Sequence, residues 1–121
     1  MADIIKLVHG DTLPKLQLTL TDSVTLAPIN LTGATVYLHA RALKSSTLAF
    51  TNTLQISDAI NGKCVVAWAP TDLVRAPGDY EAEIEVVFLD TTRETVYDFI
   101  FFNIRNEIGP TPSESIYPVV P

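Results

Sequence analysis

The chain has 121 residues, of which 47% are hydrophobic, so we expect one domain with its own apolar core. It has 8 basic and 14 acidic residues, a net charge of −6, and its basic residues are not clustered, which argues against nucleic acid or an anionic membrane as a partner. No apolar run approaches the roughly 20 residues of a membrane-spanning helix, and the first residues lack the pattern of a secretory signal, so we expect synthesis in a cytoplasm.

The first half of the chain is divided into short apolar segments by Gly, Pro, Asn and Asp. Alternation of apolar and polar residues predicts strands at 4–8, 14–20, 34–41, 48–56 and 63–68. In the strand at 34–41, the pattern places Tyr37, His39 and Arg41 on the outward face. The Thr-rich segment 48–56 is typical of an edge strand. Residues 70–75 predict a single helical turn that Thr71 caps, with Leu73 or Val74 closing the end of the core.

A hairpin over residues 77–105 is the strongest secondary-structure signal. Its first arm alternates strictly, so Glu81, Glu83 and Glu85 should form a solvated outer face. Its second arm is apolar on both sides: Ile100, Phe102 and Ile104 share one face, and Tyr97, Phe99 and Phe101 share the other. A strand with two apolar faces must be covered on both, so we expect a second cover besides the core, either the chain's own tail or a neighbouring protein.

Residues 106–121 differ in character from the rest, because Pro110, Pro112, Pro118 and Pro121 interrupt any ladder of main-chain hydrogen bonds. This composition predicts an extended tail. The short, evenly spaced segments predict an all-β sandwich or barrel over residues 1–105, followed by a tail over residues 106–121 that docks either on the domain's own surface or on a partner.

Few residues are suited to catalysis or metal binding. The one cysteine, Cys64, lies in a strand-like run, and a buried thiol is expected there. His9 and His39 are far apart and fit no metal-ligand spacing. We therefore predict no catalytic residues, no metal and no cofactor. An aromatic platform around Trp68 would support a different function, the binding of host-surface carbohydrate, and it requires Trp68 to face solvent.

Four stretches together resemble a known family: residues 9–14 (HGDTLP), 29–38 (INLTGATVYL), 78–88 (GDYEAEIEVVF) and 94–96 (ETV). Their order and spacing resemble the N-terminal module of the tailed-phage baseplate upper protein (BppU-like) family over roughly residues 6–104. The resemblance implies an all-β, immunoglobulin-like antiparallel sandwich of about seven strands over residues 1–105, with residues 106–121 as an extended docking segment. It also implies a docking unit of the virion, without catalysis, that is synthesised in the host cytoplasm. Residues 78–80 also resemble the start of a strand in which a Tyr side chain pins the preceding corner.

The leading hypothesis is therefore a non-catalytic docking, adaptor or decoration protein of a phage virion, in the tail, baseplate, neck or capsid surface. It implies other virion proteins as partners and a multi-copy assembly. The predicted interface consists of Tyr97, Phe99, Phe101, Ile108, Ile116, Tyr117, Val119 and Val120.

Overall fold

The computed structural model describes residues 4–96 and 98–108, and this part of the chain is built from strands and turns with no helix. It contains no helix that is long and apolar enough to cross a membrane. The strands in these described residues are nine: β1 (Ile5–Val8), β2 (Leu16–Thr19), β3 (Thr35–Ala42), β4 (Leu48–Thr53), β5 (Gln55–Asp58), β6 (Lys63–Val66), β7 (Gly78–Val87), β8 (Arg93–Thr95) and β9 (Ile100–Arg105).

The strands form two sheets, which confirms the predicted β-sandwich. The larger sheet has the order β1-β9-β7-β3-β4, with β8 also paired to β7, and the smaller sheet has the order β2-β6-β5. All neighbours are antiparallel except β1 and β9, which run parallel. The parallel pair is extended by one bond, because the amide of His9 donates to the carbonyl of Arg105 at 2.8 Å.

An aromatic cluster holds the two sheets together. The rings of Tyr80 and Phe102 stack with centroids 5.5 Å apart, and Trp68 packs on Phe102 at 6.0 Å. All three side chains are at most 5% exposed. The Tyr80 hydroxyl donates to the carbonyl of Ala76 at 2.6 Å, so this side chain pins the corner before β7, as the sequence predicts.

The predicted single strand at 48–56 is wrong, because the segment divides into two strands of different sheets. Residue 54 is the crossing point: β4 pairs with β3 in the larger sheet, and β5 pairs with β6 in the smaller one. Leu54 itself is 5% exposed, and its amide donates to the carbonyl of Val36 at 2.8 Å. The alternation continues through the crossing, so the pattern alone does not reveal it.

The second arm of the hairpin also divides. Glu85 pairs with Thr95, whereas Ala82 pairs with Ile100, so the register between the arms shifts by two residues from one pair to the other. The ladder is therefore irregular between β8 and β9. Phe102 and Ile104 are buried as predicted, but Phe99 lies before β9 rather than in it.

Residues 70–75 form turns and not the predicted helical turn, and Thr71 is not the cap. The side chain of Asp72 fills that role, since its Oδ2 accepts from the amide of Ala69 at 2.9 Å and from Nδ2 of Asn52 at 2.7 Å. Leu73 is fully buried and closes the core, whereas Val74 is exposed. A carboxylate only 5% exposed thus links this turn to β4 in place of a helix cap.

Candidate functional site

The side of the larger sheet that faces away from the core carries the candidate site, which we call the outer face. Its side chains come from alternate positions of β3, β7 and β9 and from the loop before β9. They are Tyr37, His39, Arg41, Glu81, Glu83, Glu85, Phe99 and Phe101.

The three carboxylates of this face are not the freely solvated row that the sequence predicts. Glu81 is only 8% exposed, and Glu83 and Glu85 are half-buried. The cause is the pairing of β7 with β3, which places Arg41 directly opposite Glu81. Arg41 Nε donates to Glu81 Oε2 at 2.6 Å, a charge-assisted hydrogen bond that screens the carboxylate from water.

His39 holds the carboxylate of Glu85 in place. Its Nε2 lies 2.8 Å from Glu85 Oε1, and its Nδ1 lies 2.8 Å from the hydroxyl of Thr51. Because an ionised carboxylate only accepts hydrogen bonds, Nε2 carries the proton. The hydrogen bond from His39, with smaller contributions from the charges of His39 and Arg93, lowers the pKa of Glu85 below its ordinary value of 4.5.

Glu83 lines a cleft of about 180 Å³ on the outer face. The ion pairs of this face involve Glu81 and Glu85, and they leave Glu83 without one in residues 4–96 and 98–108. Arg41, Leu48 and Phe99 form other walls of the cleft. The cleft therefore combines a half-buried carboxylate with an aromatic and an aliphatic wall.

Phe99 and Phe101 form the aromatic part of the predicted interface. Their rings meet edge to face with centroids 6.3 Å apart, and the guanidinium carbon of Arg41 lies 5.9 Å from the Phe99 ring centroid. Phe99 is 40% exposed and Phe101 is half-buried. The structure thus brings these two predicted residues together and adds Arg41 as a neighbour.

The remaining predicted interface residues are only partly covered by the structure. Ile108 follows β9 and is 96% exposed. Five others lie outside the described residues: Tyr97, Ile116, Tyr117, Val119 and Val120.

The sequence pattern missed the roles of His39 and Arg41. It placed both on the outward face of their strand and the three glutamates on the outward face of another. The missing information was that β3 and β7 are neighbours, since their antiparallel register sets Arg41 opposite Glu81 and sets His39 opposite Glu83, diagonal to Glu85. A search for opposite charges at matched or diagonal positions on two outward faces is the signal that would reveal them.

The carbohydrate platform does not form, because Trp68 faces the core. It is 4% exposed, and its indole Nε1 donates to the carbonyl of Pro14 at 2.9 Å. Cys64 is also buried, and desolvation raises the pKa of its thiol to about 11. No group of three or more His, Cys, Asp or Glu side chains suited to a metal ion occurs in the described part of the chain.

Comparison with known proteins agrees with the fold. A model of the family described as BppU N-terminal domain matches residues 1–116. Among solved structures, the chain is similar to the N-terminal domain of phage TP901-1 ORF48, with a TM-score of 0.54 and 18% identity over 87% of this chain and 85% of that one. It is more loosely similar to CopC from Methylosinus trichosporium OB3b, with a TM-score of 0.47 and 9% identity over 94% and 89% of the two chains. No curated protein sequence matches the chain. At 18% identity the first structural likeness shows the fold alone.

Proposed function

Because this chain belongs to the BppU N-terminal domain family, whose model matches residues 1–116, we propose that it is a structural protein of a phage virion, where it docks other virion proteins without catalysis. The N-terminal domain of phage TP901-1 ORF48, which is similar to this chain in structure, also belongs to a phage protein. The observation that carries the docking role is the cleft on the outer face, which Glu83 and Phe99 both line.

The outer face is suited to binding because its charged groups other than Glu83 are already held by one another. Arg41 is bonded to Glu81, and His39 bridges Glu85 and Thr51. Groups held in this way present a rigid surface, and a rigid surface loses little conformational entropy when a partner binds.

The cleft itself fits a basic side chain of the partner. The half-buried carboxylate of Glu83 would accept hydrogen bonds from a Lys or Arg head group, and Phe99 and Leu48 would cover its aliphatic stem. Burial of the Phe99 ring, which is 40% exposed, adds apolar contact area. Binding energy at protein interfaces is concentrated in a few residues that fill well-packed, desolvated pockets.

Residues 106–121 supply a second contact in this proposal, as a docking segment that follows the sandwich of residues 1–105. The segment starts where β9 ends, next to the parallel pair that β9 forms with β1. Its apolar residues Ile108, Ile116, Tyr117, Val119 and Val120 would bind an apolar groove or sheet edge of the same or another virion protein. Tyr97 would extend the aromatic contact of Phe99 and Phe101.

The test is incorporation of variants into virions of a phage whose own copy of the gene is deleted. We expect Phe99→Ala to reduce the amount of the protein in purified particles, because loss of about 2 kcal/mol of binding energy lowers the association constant about 30-fold. Deletion of residues 106–121 should reduce it as well. The amount is measured by quantitative mass spectrometry of the particles.

Val74→Ala is the matched control, since Val74 is 48% exposed but lies in the turns of residues 67–77, outside the outer face. Circular dichroism and thermal unfolding verify that all variants fold. Normal incorporation of both Phe99→Ala and the truncated chain would refute the proposed docking surfaces, and absence of the wild-type protein from the particles would refute the virion role itself.

A further inference from the structure

The outer face continues onto β9 and β1, beyond the cleft that Glu83 lines. There it forms a second concavity of about 340 Å³, which we call the groove, with walls that include Ile4 and Val8. Lys6 and Arg105 also line the groove. Both are exposed, and neither belongs to an ion pair within residues 4–96 and 98–108. The groove thus adds two cationic groups to the sheet that carries the carboxylate of the cleft.

Strand pairing shows that the groove and the cleft belong to one continuous surface. Asn103 of β9 pairs with Lys6 of β1 and with Asp79 of β7, so these three side chains form one row across the face. Asn103 Nδ2 donates to Asp79 Oδ1 at 2.8 Å within this row. The next row, two residues further along each strand, contains Phe101, and the row after it contains Glu83. Successive rows are about 7 Å apart, so the groove and the cleft are adjacent.

Phe101 lies midway between Lys6 of the groove and Glu83 of the cleft. It is one row from each, and its strand β9 lies between β1 and β7. Lys6 and Glu83 are therefore separated by about 10 Å across the strands and about 13 Å along them. A two-fold axis in the contact plane, through Phe101 and perpendicular to the line from Lys6 to Glu83, brings Lys6 of each copy against Glu83 of the other. The same axis places the two Phe101 rings, each half-buried in its own copy, against one another.

The same axis matches two further pairs of side chains across the contact. On the spacing that the strand pairing sets, Asp79 of one copy lies opposite Arg41 of the other, which joins an exposed carboxylate to a guanidinium that is 43% exposed. Ile4 of one copy lies opposite Phe99 of the other. These two apolar side chains are 54% and 40% exposed in the single chain, so the contact would bury both. One symmetry operation thus pairs opposite charges with each other and apolar groups with each other.

The charges of the outer face also balance, although the whole chain has a net charge of −6. The outward positions of the larger sheet carry the cationic residues Lys6, Arg41, Arg93 and Arg105. They carry the same number of anionic residues, Asp79, Glu81, Glu83 and Glu85. The loops beside the contact centre, before β9 and after β3, add Asp98 and Lys44, one of each sign. A partner surface of a single sign would leave one half of the face unmatched, whereas a second copy turned over matches both halves.

We propose that the outer face binds a second copy of this chain in a two-fold symmetric, face-to-face pair, in which Lys6 of each copy enters the cleft of the other and bonds to Glu83. The inference rests on the proposed function, because it names the partner of the same face. Phe101 and the Ile4–Phe99 contacts supply the apolar centre, and the charge pairs fix the orientation. The smaller sheet of each copy lies on the far side of the sandwich and stays uncovered.

Sedimentation velocity of the purified chain, from about 1 µM to about 1 mM, tests the proposal over the range of weak to moderate affinities. We expect a monomer–dimer equilibrium that weakens as salt is added. Lys6→Glu and Glu83→Lys should each lower the association constant about tenfold or more, because each sets like charges opposite one another. Lys63→Glu is the matched control, since it changes the net charge equally but lies on the smaller sheet, and it should leave dimerisation nearly unchanged.

Charge exchange identifies the contact itself. The double variant Lys6→Glu/Glu83→Lys should dimerise like wild type, because its two contacts again join opposite charges. An equimolar mixture of the two single variants should also associate, since every contact between the unlike chains joins opposite charges, although neither variant associates well alone. Circular dichroism and thermal unfolding verify that the variants fold. If neither the double variant nor the mixture recovers association, Lys6 does not bond to Glu83 of a second copy and the proposed pair is wrong.

The outcomes separate this inference from the proposed function. A chain that stays monomeric up to about 1 mM overturns the pair. If Phe99→Ala nevertheless reduces incorporation into virions, the outer face docks a different virion protein and the proposed function stands. A chain that dimerises as expected but is absent from purified particles supports the pair and refutes the virion role.

Discussion

The two faces of β7 belong to the same ten residues and have opposite chemistry. On the inner face every side chain from Tyr80 to Val86 is at most 5% exposed. On the outer face Glu81 is 8% exposed, and Glu83 and Glu85 are half-buried. Polar side chains that alternate along a strand are therefore not necessarily solvated, because neighbouring strands can cover them with partners of opposite charge.

The two faces stabilise the fold to different extents. Burial of apolar surface contributes about 25 cal/mol per Å², and well-packed aromatic pairs add to it, so the inner face provides most of the stability. The outer face contributes paired charges in a partly hydrated environment, where each pair adds little and an unpaired member costs more. Single substitutions on the two faces should differ accordingly.

The largest expected effect comes from two adjacent residues of β9 that point to opposite faces. Phe102 is 1% exposed and contacts Phe50, Trp68 and Tyr80, so Phe102→Ala should lower the free energy of unfolding by about 3–5 kcal/mol. Phe101 is half-buried on the outer face, and Phe101→Ala should cost about 1 kcal/mol or less. Equilibrium unfolding in urea measures both values, and equal losses would remove the distinction between the faces.

The next effect concerns the ion pairs of the outer face. Arg41→Met leaves Glu81, whose side chain is 10% exposed, without its partner, and we expect a loss of about 1–2 kcal/mol because Arg41 itself is 43% exposed and partly screened. Arg93→Met is the matched control, since Arg93 is 70% exposed and 3.3 Å from Glu85, and should cost about 0.5 kcal/mol or less.

A second substitution tests the cause of that loss. Adding Glu81→Gln to Arg41→Met removes the unpaired charge, so the double variant should regain part of the lost free energy. If the double variant is less stable than Arg41→Met, the loss arises from packing of the Arg41 side chain on Phe99 and not from an isolated carboxylate.

Period-two alternation was sufficient to predict most of the inner face. Apart from Glu81, the buried residues of β3, β6, β7 and β9 are those that the pattern placed inward, because side-chain direction along a strand is a local property. The alternation also predicted that Phe99 and Phe101 would share the outer face. The tyrosine corner at Tyr80 was predicted by resemblance and is confirmed by its hydrogen bond.

The outer face was predicted incorrectly where its state depends on strand pairing. The exposure of the glutamates on β7 is set by β3. Arg41 of β3 lies 40 residues before Glu81, which it contacts, and no local pattern in the sequence specifies that β3 is the neighbour of β7. The same holds for the irregularity at residues 96–99 and for the crossing between sheets at Leu54. In each case the register between distant segments determines the structure, and a single sequence carries only the alternation within each segment.

The smallest effect, and the one most specific to the outer face, is a dependence of stability on pH that the inner face cannot produce. The hydrogen bond from His39 is the main cause of the lowered pKa of Glu85 in the folded protein, whose ordinary value is 4.5. A carboxyl group with a lower pKa in the folded state than in the unfolded state contributes stability above its unfolded pKa, and this contribution is lost as the pH falls through its folded pKa.

We therefore expect Glu85→Gln to be less stable than wild type at pH 7 and to approach wild-type stability as the pH is lowered below 4.5. Urea unfolding at several pH values measures the difference, with Glu94→Gln, an exposed carboxylate of the adjacent β8, as the matched control that should show a smaller change throughout. The contradicting result is a stability difference between wild type and Glu85→Gln that stays constant or grows as the pH falls. It would mean that the His39–Glu85 contact does not hold an ionised carboxylate. The outer face would then be a packed surface without the charge network that distinguishes it from the core.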